Sequence, residues 1–217
     1  MCMRKLILSV GTAVAAAFAA QAGEVEITVA SGEKTLVQAL ADEAKTLGLT
    51  DDLVKLGAGK LNIGALPEYA GNIHIKAGVV YATATTAFGL ATGYTKVYNG
   101  AQLQTYTNAT KTLTFGNEQF IIEGTGPDGN GAIRCLSTTP QNSTVQPFGK
   151  NLRLTGDALL TDLQQRHDLF GTTDLGGHTL TLKGSFSFEG SITTNGNVIA
   201  SGGTALFPSQ CSFPGDA

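Results

Sequence analysis

Tryptophan is absent from this 217-residue chain, charged residues make up only 14% of it, and aromatic residues only 7%. So few charges exclude the kind of disorder that comes from strong self-repulsion. A basic excess is missing too: 14 Lys and Arg stand against 17 Asp and Glu. Nucleic-acid recognition wants a basic stripe, so no nucleic-acid partner is expected. Helical periodicity is almost lacking, and no strand-like stretch is joined to the next by a long helix, which excludes a βαβ chain. No long apolar run follows residue 20, so no transmembrane segment is expected beyond the N-terminus. Cysteine is scarce, with 3 in all. Neither Cys135 nor Cys211 has a Cys or His neighbour at metal-ligand spacing, and no metal or other cofactor is expected.

What the chain does have begins with a leader. Arg4 and Lys5 precede an uncharged apolar stretch, Leu6 to Ala20, and Ala20-Gln21-Ala22 is a small-x-small cleavage site. Residues 1–22 therefore read as a secretory signal peptide cut before Gly23, and the protein as secreted or displayed at the cell surface. The apolar stretch is too short to span about 30 Å of hydrocarbon comfortably. Cys2 precedes it, so a lipid anchor at a cysteine is not indicated.

Residues 23–52 read as a strand and a capping helix. Glu24 to Ala30 alternates polar and apolar residues. Thr35 and Gln38 form a capping-box pattern, followed by Leu36, Val37, Leu40, Ala44 and Leu47 at helical spacing, with Gly48 as the expected stop. Such a helix must bury its apolar face, and the open end of a repetitive core offers the surface.

Residues 53–217 read as a repeat region. The chain holds 28 glycines. Short strand-like stretches, among them Lys60 to Ile63, Asn72 to Lys76, Thr95 to Tyr98, Leu113 to Phe115, Phe120 to Ile122 and Ala132 to Leu136, recur with Gly or Asn between them. Leu152 to Thr155, Thr179 to Leu182, Ser185 to Phe188, Val198 to Ala200 and Thr204 to Phe207 continue the series. Many short strands allow a sandwich, a barrel or a solenoid. Internal similarity favours the solenoid. Asn72-Ile-His-Ile-Lys-Ala-Gly78 and Tyr94-Thr-Lys-Val-Tyr-Asn-Gly100 place alternating apolar residues before glycines 22 positions apart. That is the length of one coil, whose inward Ile, Val and Leu are buried only by stacking on its neighbours. The expected fold is all-β: a right-handed parallel β-helix with a short N-terminal strand-helix cap.

The segment Leu53-Val-Lys-Leu-Gly-Ala-Gly-Lys-Leu-Asn-Ile-Gly64 resembles the core of the autotransporter-associated β-strand repeat. Tyr69-Ala-Gly71, Ala77-Gly78-Val-Val80, Val97-Tyr-Asn-Gly-Ala-Gln-Leu103, Phe120 to Gly126 and Asp174 to Gly184 resemble its continuation. Ile63 and Val80 stand where the family more often has Leu. The resemblance covers about Leu53 to Gly190, and no stretch resembles the family's C-terminal membrane barrel. It implies an adhesin-like or structural passenger whose partners are glycans or components of the envelope or of neighbouring cells.

Several motifs invite chemistry. Gly59-Lys60 suggests a phosphate loop, but Val54 and Leu61 occupy the places that need Gly and Ser or Thr. Gly124-Thr-Gly126-Pro-Asp-Gly129 matches a dinucleotide fingerprint, although Pro127 and Asn130-Gly131 favour a turn over the helix it requires. Asp128 there is a single carboxylate, a thin start for calcium. The best polar cluster is Arg166-His167-Asp168, with Asp174 and His178 close by. In a polysaccharide lyase or hydrolase, Asp168 would serve as base and Arg166 as the cation that steadies developing negative charge. That alternative requires Asp162, Arg166, Asp168 and Asp174 to converge in a cleft. A glycan-binding module would instead line up Tyr69, Tyr81, Tyr94, Tyr98 and Tyr106 outside the core. The reading adopted is a non-catalytic structural protein, with no catalytic, cofactor-binding or metal-binding residue assigned. Asn108-Ala-Thr110 and Asn142-Ser-Thr144 are glycosylation sequons. In such a solenoid Cys135 and Cys211 lie about three coils apart, roughly 15 Å, so a disulfide would need the C-terminal tail to fold back.

Overall fold

The computed structural model describes residues 22–107, 113, 115, 118–137 and 141–208. Residues 1–21 of the expected leader, the sequon at Asn108 and Cys211 lie outside the described residues. Strands β1 (Glu24–Thr28), β2 (Glu33–Thr35), β3 (Asp52–Leu56), β4 (Lys60–Ile63), β5 (Ile73–Ile75), β6 (Gly78–Ala82), β7 (Tyr94–Val97) and β8 (Ala101–Thr107) come first. They continue as β9 (Gln119–Gly124), β10 (Ile133–Ser137), β11 (Gln141–Asp174), β12 (Thr179–Phe188), β13 (Ser191–Ile192), β14 (Asn197–Ala200) and β15 (Thr204–Leu206). One helix, α1 (Leu36–Asp42), interrupts them.

From β1 to β10, strands consecutive in sequence do not pair with each other. The order β1-β3-β5-β7-β9-β11 forms one column and β2-β4-β6-β8-β10-β11 a second, joined through the long β11. Every pairing is parallel. A chain that returns to the same column on each circuit, always in the same direction, is a parallel β-helix. Strand β11 shifts register between Leu154 and Ala158 and between Thr161 and Arg166, where it turns corners, and then carries β12 and the last coil.

The period-2 alternation of strands explains the core. In the first column the inward rows are Leu53, Ile73, Thr95, Phe120, Leu152 and Ile27, Lys55, Ile75, Val97, Ile122, Leu154, each residue stacked on the one a coil below. The second column contributes Leu61, Val80, Leu103, Ile133, Leu160 and Leu182. Leu113 and Phe115 are buried but belong to no strand; Phe115 packs edge-to-face with Phe88 at 4.8 Å and lies 6.0 Å from Phe120. Asn72 ties three coils together. Its N–H and Nδ2 each donate to Asp52 Oδ1 at 2.9 Å, and its Oδ1 accepts from the Tyr94 N–H, joining residues 20 and 22 apart.

Lys55 is the exception in these rows. It is fully buried, and its ammonium reaches a corner to donate to the carbonyls of Leu56, Gly57 and Ala77 at 2.9, 2.8 and 3.0 Å. Burial pushes its pKa down to about 8. The lysine of the Leu53-Val-Lys-Leu-Gly segment is thus an internal clip between two coils.

The capping box forms as expected at Thr35 and Gln38. The helix then stops at Asp42, short of Gly48, and Val37 is exposed rather than buried. Tertiary contacts end it early. The Glu43 carboxylate accepts from the Thr28 N–H, and Lys45 Nζ donates to the Glu26 carbonyl, so this segment is drawn onto the outer edge of β1. Leu36 and Ala39 close over the core, with Leu40 and Leu47 packed beside them.

The two glycines that reveal the repeat are not equivalent. Gly78 is in register with Ala101, one position past Gly100. A Cβ on Gly78 would lie 2.4 Å from the Gly57 carbonyl oxygen of the coil below, at φ +67°, whereas one on Gly100, φ +81°, would meet nothing within 4 Å. Gly78→Ala is therefore expected to cost about 2 kcal/mol or more, and Gly100→Ala only the left-handed penalty of about 1 kcal/mol. Urea denaturation of both variants checks this; equal losses would refute it.

Candidate functional site

The polar residues singled out by sequence do not converge. Along β11, alternation sends Arg166 and Asp168 to one side and His167 to the other. Arg166 Nε and Nη2 donate to Asp168 Oδ1 and Oδ2, both at 2.8 Å. Asp168 is buried and raises the guanidinium pKa. Glu189, which accepts from Ser187 Oγ at 2.6 Å, lies 4.0 Å from the same Arg166 nitrogen. A carboxylate held in a bidentate ion pair is a poor base, and a guanidinium so paired is a poor electrophile.

Asp162 turns inward to another group. It is in register with Cys135, a buried free thiol, and its Oδ1 lies 3.5 Å from His167 Nδ1. Neither His167 ring nitrogen makes a well-formed hydrogen bond. Burial works against the charge on this imidazole, but the Cys135 thiol and the Asp162 carboxylate outweigh it and push its pKa up to about 10. The group is enclosed: Cys135 and His167 are each 2% exposed.

Asp174 sits on the first column. It accepts from Thr194 Oγ1 at 2.6 Å and from the Gly176 N–H at 3.1 Å, and its Oδ2 lies 3.5 Å from Arg153 Nε. His178 Nδ1 lies 3.9 Å from Asp157 Oδ1. Arg166 and Asp168 thus pair within one strand, while Asp174 and His178 make separate contacts between rungs. Gly59 is a corner, and Lys60 opens a strand, paired with Glu33 at 2.6 Å. Pro127–Gly129 is a single 3-10 turn with Asp128 at φ +60°. Among the described residues, no three His, Cys, Asp or Glu side chains are grouped as metal ligands.

The five tyrosines do not form one row either. Tyr69 is buried, and its hydroxyl accepts from the Leu53 N–H at 3.1 Å while lying 2.6 Å from the Asp51 carbonyl. Tyr81 and Tyr106 belong to the second column, Tyr81 with Lys60 Nζ 5.3 Å from its ring centre. Tyr94 and Tyr98 flank the outward face of the first column, and here a patch exists that the sequence did not reveal. His74 of β5 meets Tyr94 edge-on with ring centres 5.5 Å apart, and Tyr98 at 6.0 Å. His74 Nδ1 is 3.1 Å from the Tyr98 hydroxyl, across a sequence separation of 24. Lys96 Nζ stands 4.5 Å over the Tyr98 ring, and Asp52 Oδ2 is 3.7 Å from His74 Nε2. Burial lowers the His74 pKa against the opposing pull of Asp52. One coil separates His74 from both tyrosines, so a coil-length offset was the signal that would have grouped them. Half-exposed rings beside a carboxylate, an ammonium and an imidazole offer apolar faces and hydrogen-bonding groups together. A sugar ring needs that combination.

No protein-family model, curated protein or solved structure matches the chain. Among the described residues no helix is long and apolar enough to cross a membrane.

Proposed function

We propose that this chain is a secreted or surface-displayed, adhesin-like β-helix repeat protein of the autotransporter-associated kind, which acts by presenting an extended surface and not by catalysis. The observation that carries this reading is the use of its polar groups. Arg166, Asp168, Asp162, Asp174 and Asn72 each bond to a neighbouring residue or rung. The leader-like residues 1–22 support export, and the segment from Leu53 supports the family. Glycans are the partner class that suits the His74, Tyr94 and Tyr98 patch, where aromatic faces lie beside Asp52 and Lys96.

The test is a polysaccharide panel, run with and without calcium, with gel retardation for binding and release of reducing ends or unsaturated products for cleavage. Retardation without cleavage is expected, weakened about tenfold or more, or about 1.4 kcal/mol, by Tyr94→Ala with Tyr98→Ala. Cleavage that disappears in a folded Asp168→Asn or Arg166→Ala variant would overturn the reading in favour of a polysaccharide-active enzyme.

A further inference from the structure

Strand alternation turns every second residue of the first column outward. On β7 and the residue after it these are Tyr94, Lys96 and Tyr98, spaced about 7 Å apart along the chain. On the rung below, His74 is in register with Lys96, and the exposed Lys76 follows two positions on. On the rungs above, Lys96 is in register with Ile121, and Ile121 with Arg153. The outward row that runs along the axis from His74 to Arg153 therefore holds no carboxylate.

The charges on this face are unequally matched. Asp52 Oδ1 accepts two bonds from Asn72, and its Oδ2 is 3.7 Å from His74 Nε2. Glu123 of β9 meets Thr155 Oγ1 at 3.5 Å, and Arg153 is paired with Asp174 at 3.5 Å. Glu24 and Glu26 stand on β1, three rungs below Lys96. That is about 14 Å, more than the screening length of physiological salt. Lys76 and Lys96 are left over. Among the described residues neither lies within ion-pair distance of a carboxylate. Lys96 has only the Tyr98 ring, 4.5 Å from its ammonium.

Two unmatched ammonium groups beside two aromatic faces select the charge of the sugar. We propose, on the strength of the glycan reading above, that this face takes acidic glycans: the sugar ring lies on Tyr94 or Tyr98, and its carboxylate or sulfate meets Lys96 and Lys76. A hydrogen bond from an ammonium to an ionised group is about twice as strong as one between neutral groups. A neutral sugar offers these lysines only hydroxyls. A polymer that carries an acid on each sugar reaches both lysines at once, so two modest surface pairs act together.

Affinity electrophoresis of the full chain, purified as exported, tests this with two matched pairs: polygalacturonate against its methyl ester, and dextran sulfate against dextran. The charged member of at least one pair is expected to bind about fivefold or more tightly than its uncharged partner. The preference is expected to shrink at about 0.5 M salt. Lys76→Gln combined with Lys96→Gln is expected to erase it, with an unchanged circular dichroism spectrum. Equal binding within both pairs, or a preference that survives the lysine substitutions, would overturn the proposal. Binding of uncharged polymers alone, lost in Tyr94→Ala with Tyr98→Ala, would also overturn it while leaving the glycan reading in place. Silence of both pairs and of the wider polysaccharide panel would overturn the two together.

Discussion

Truncating Phe120 to alanine is expected to remove about 3–5 kcal/mol of stability. The side chain is fully buried in the middle of the inward row, in register with Thr95 below and Leu152 above. Its ring meets Phe88 at 5.4 Å in an edge-to-face contact, and Phe115 lies 6.0 Å away. Removing it deletes both ring contacts and leaves a void in a core held by strands on two sides, which collapses poorly. A loss of that size is a large fraction of the total stability of an ordinary domain. The position adds a second consequence. In a stacked repeat, stability is carried by neighbour-to-neighbour interfaces, so a weak central rung uncouples the two halves. Urea denaturation of Phe120→Ala is therefore expected to show a lower midpoint and a broader or two-step transition. Val37→Ala is the control, since Val37 is 77% exposed despite its helical spacing, and it should change stability by no more than about 0.5 kcal/mol. A Phe120→Ala loss as small as that of the control would refute the packing account.

Glu118→Gln is expected to stabilise the protein at pH 8 by up to about 3 kcal/mol and to change little at pH 4. Glu118 is 3% exposed. Its Oε1 accepts from Thr95 Oγ1 at 2.8 Å, while Oε2 has no hydrogen-bond partner. Burial raises the carboxyl pKa from 4.5 to about 7, with the Thr95 bond opposing. Below pH 4.5 the folded and unfolded chains both hold the proton, and the folded state is not penalised. Between 4.5 and 7 only the folded chain holds it, so stability falls as pH rises through this window. Above 7 the full penalty of a buried carboxylate remains. Glutamine keeps the shape and carries no charge, so the advantage of the variant should grow from pH 4.5 to 7 and then level off. Denaturation midpoints at pH 4, 6 and 8 decide it. A gap that is flat with pH, or largest at pH 4, would sink this reading.

Much of the fold was legible because strand alternation and coil length are both local properties. Lys60 to Ile63 forms β4, and Ala132 to Leu136 differs from β10 by a single position at each end. Glycine at the corners was legible for the same reason, since a left-handed backbone angle selects it directly. The candidate site was much less legible. Arg166, His167 and Asp168 are adjacent in sequence, yet a strand sends neighbours to opposite faces, so adjacency spread the cluster apart. His74 and Tyr98 are distant in sequence, yet one coil stacks them. Coils of unequal length made that offset hard to read: the rung from Phe120 to Leu152 is longer than that from Ile73 to Thr95.

By itself the sequence determined an all-β, low-charge, repetitive chain with an N-terminal capping box, because apolar periodicity, glycine and helix capping act over a few residues. Only the tertiary structure decided which residue stacks on which. It placed Lys55, Glu118 and His167 inside the core and ended α1 at Asp42. The physical reason is that inter-coil register is set by the lengths of the corners and by the packing of whole rows. Those corners put Thr95 beneath Phe120, and Gly78, not Gly100, against the carbonyl of the coil below.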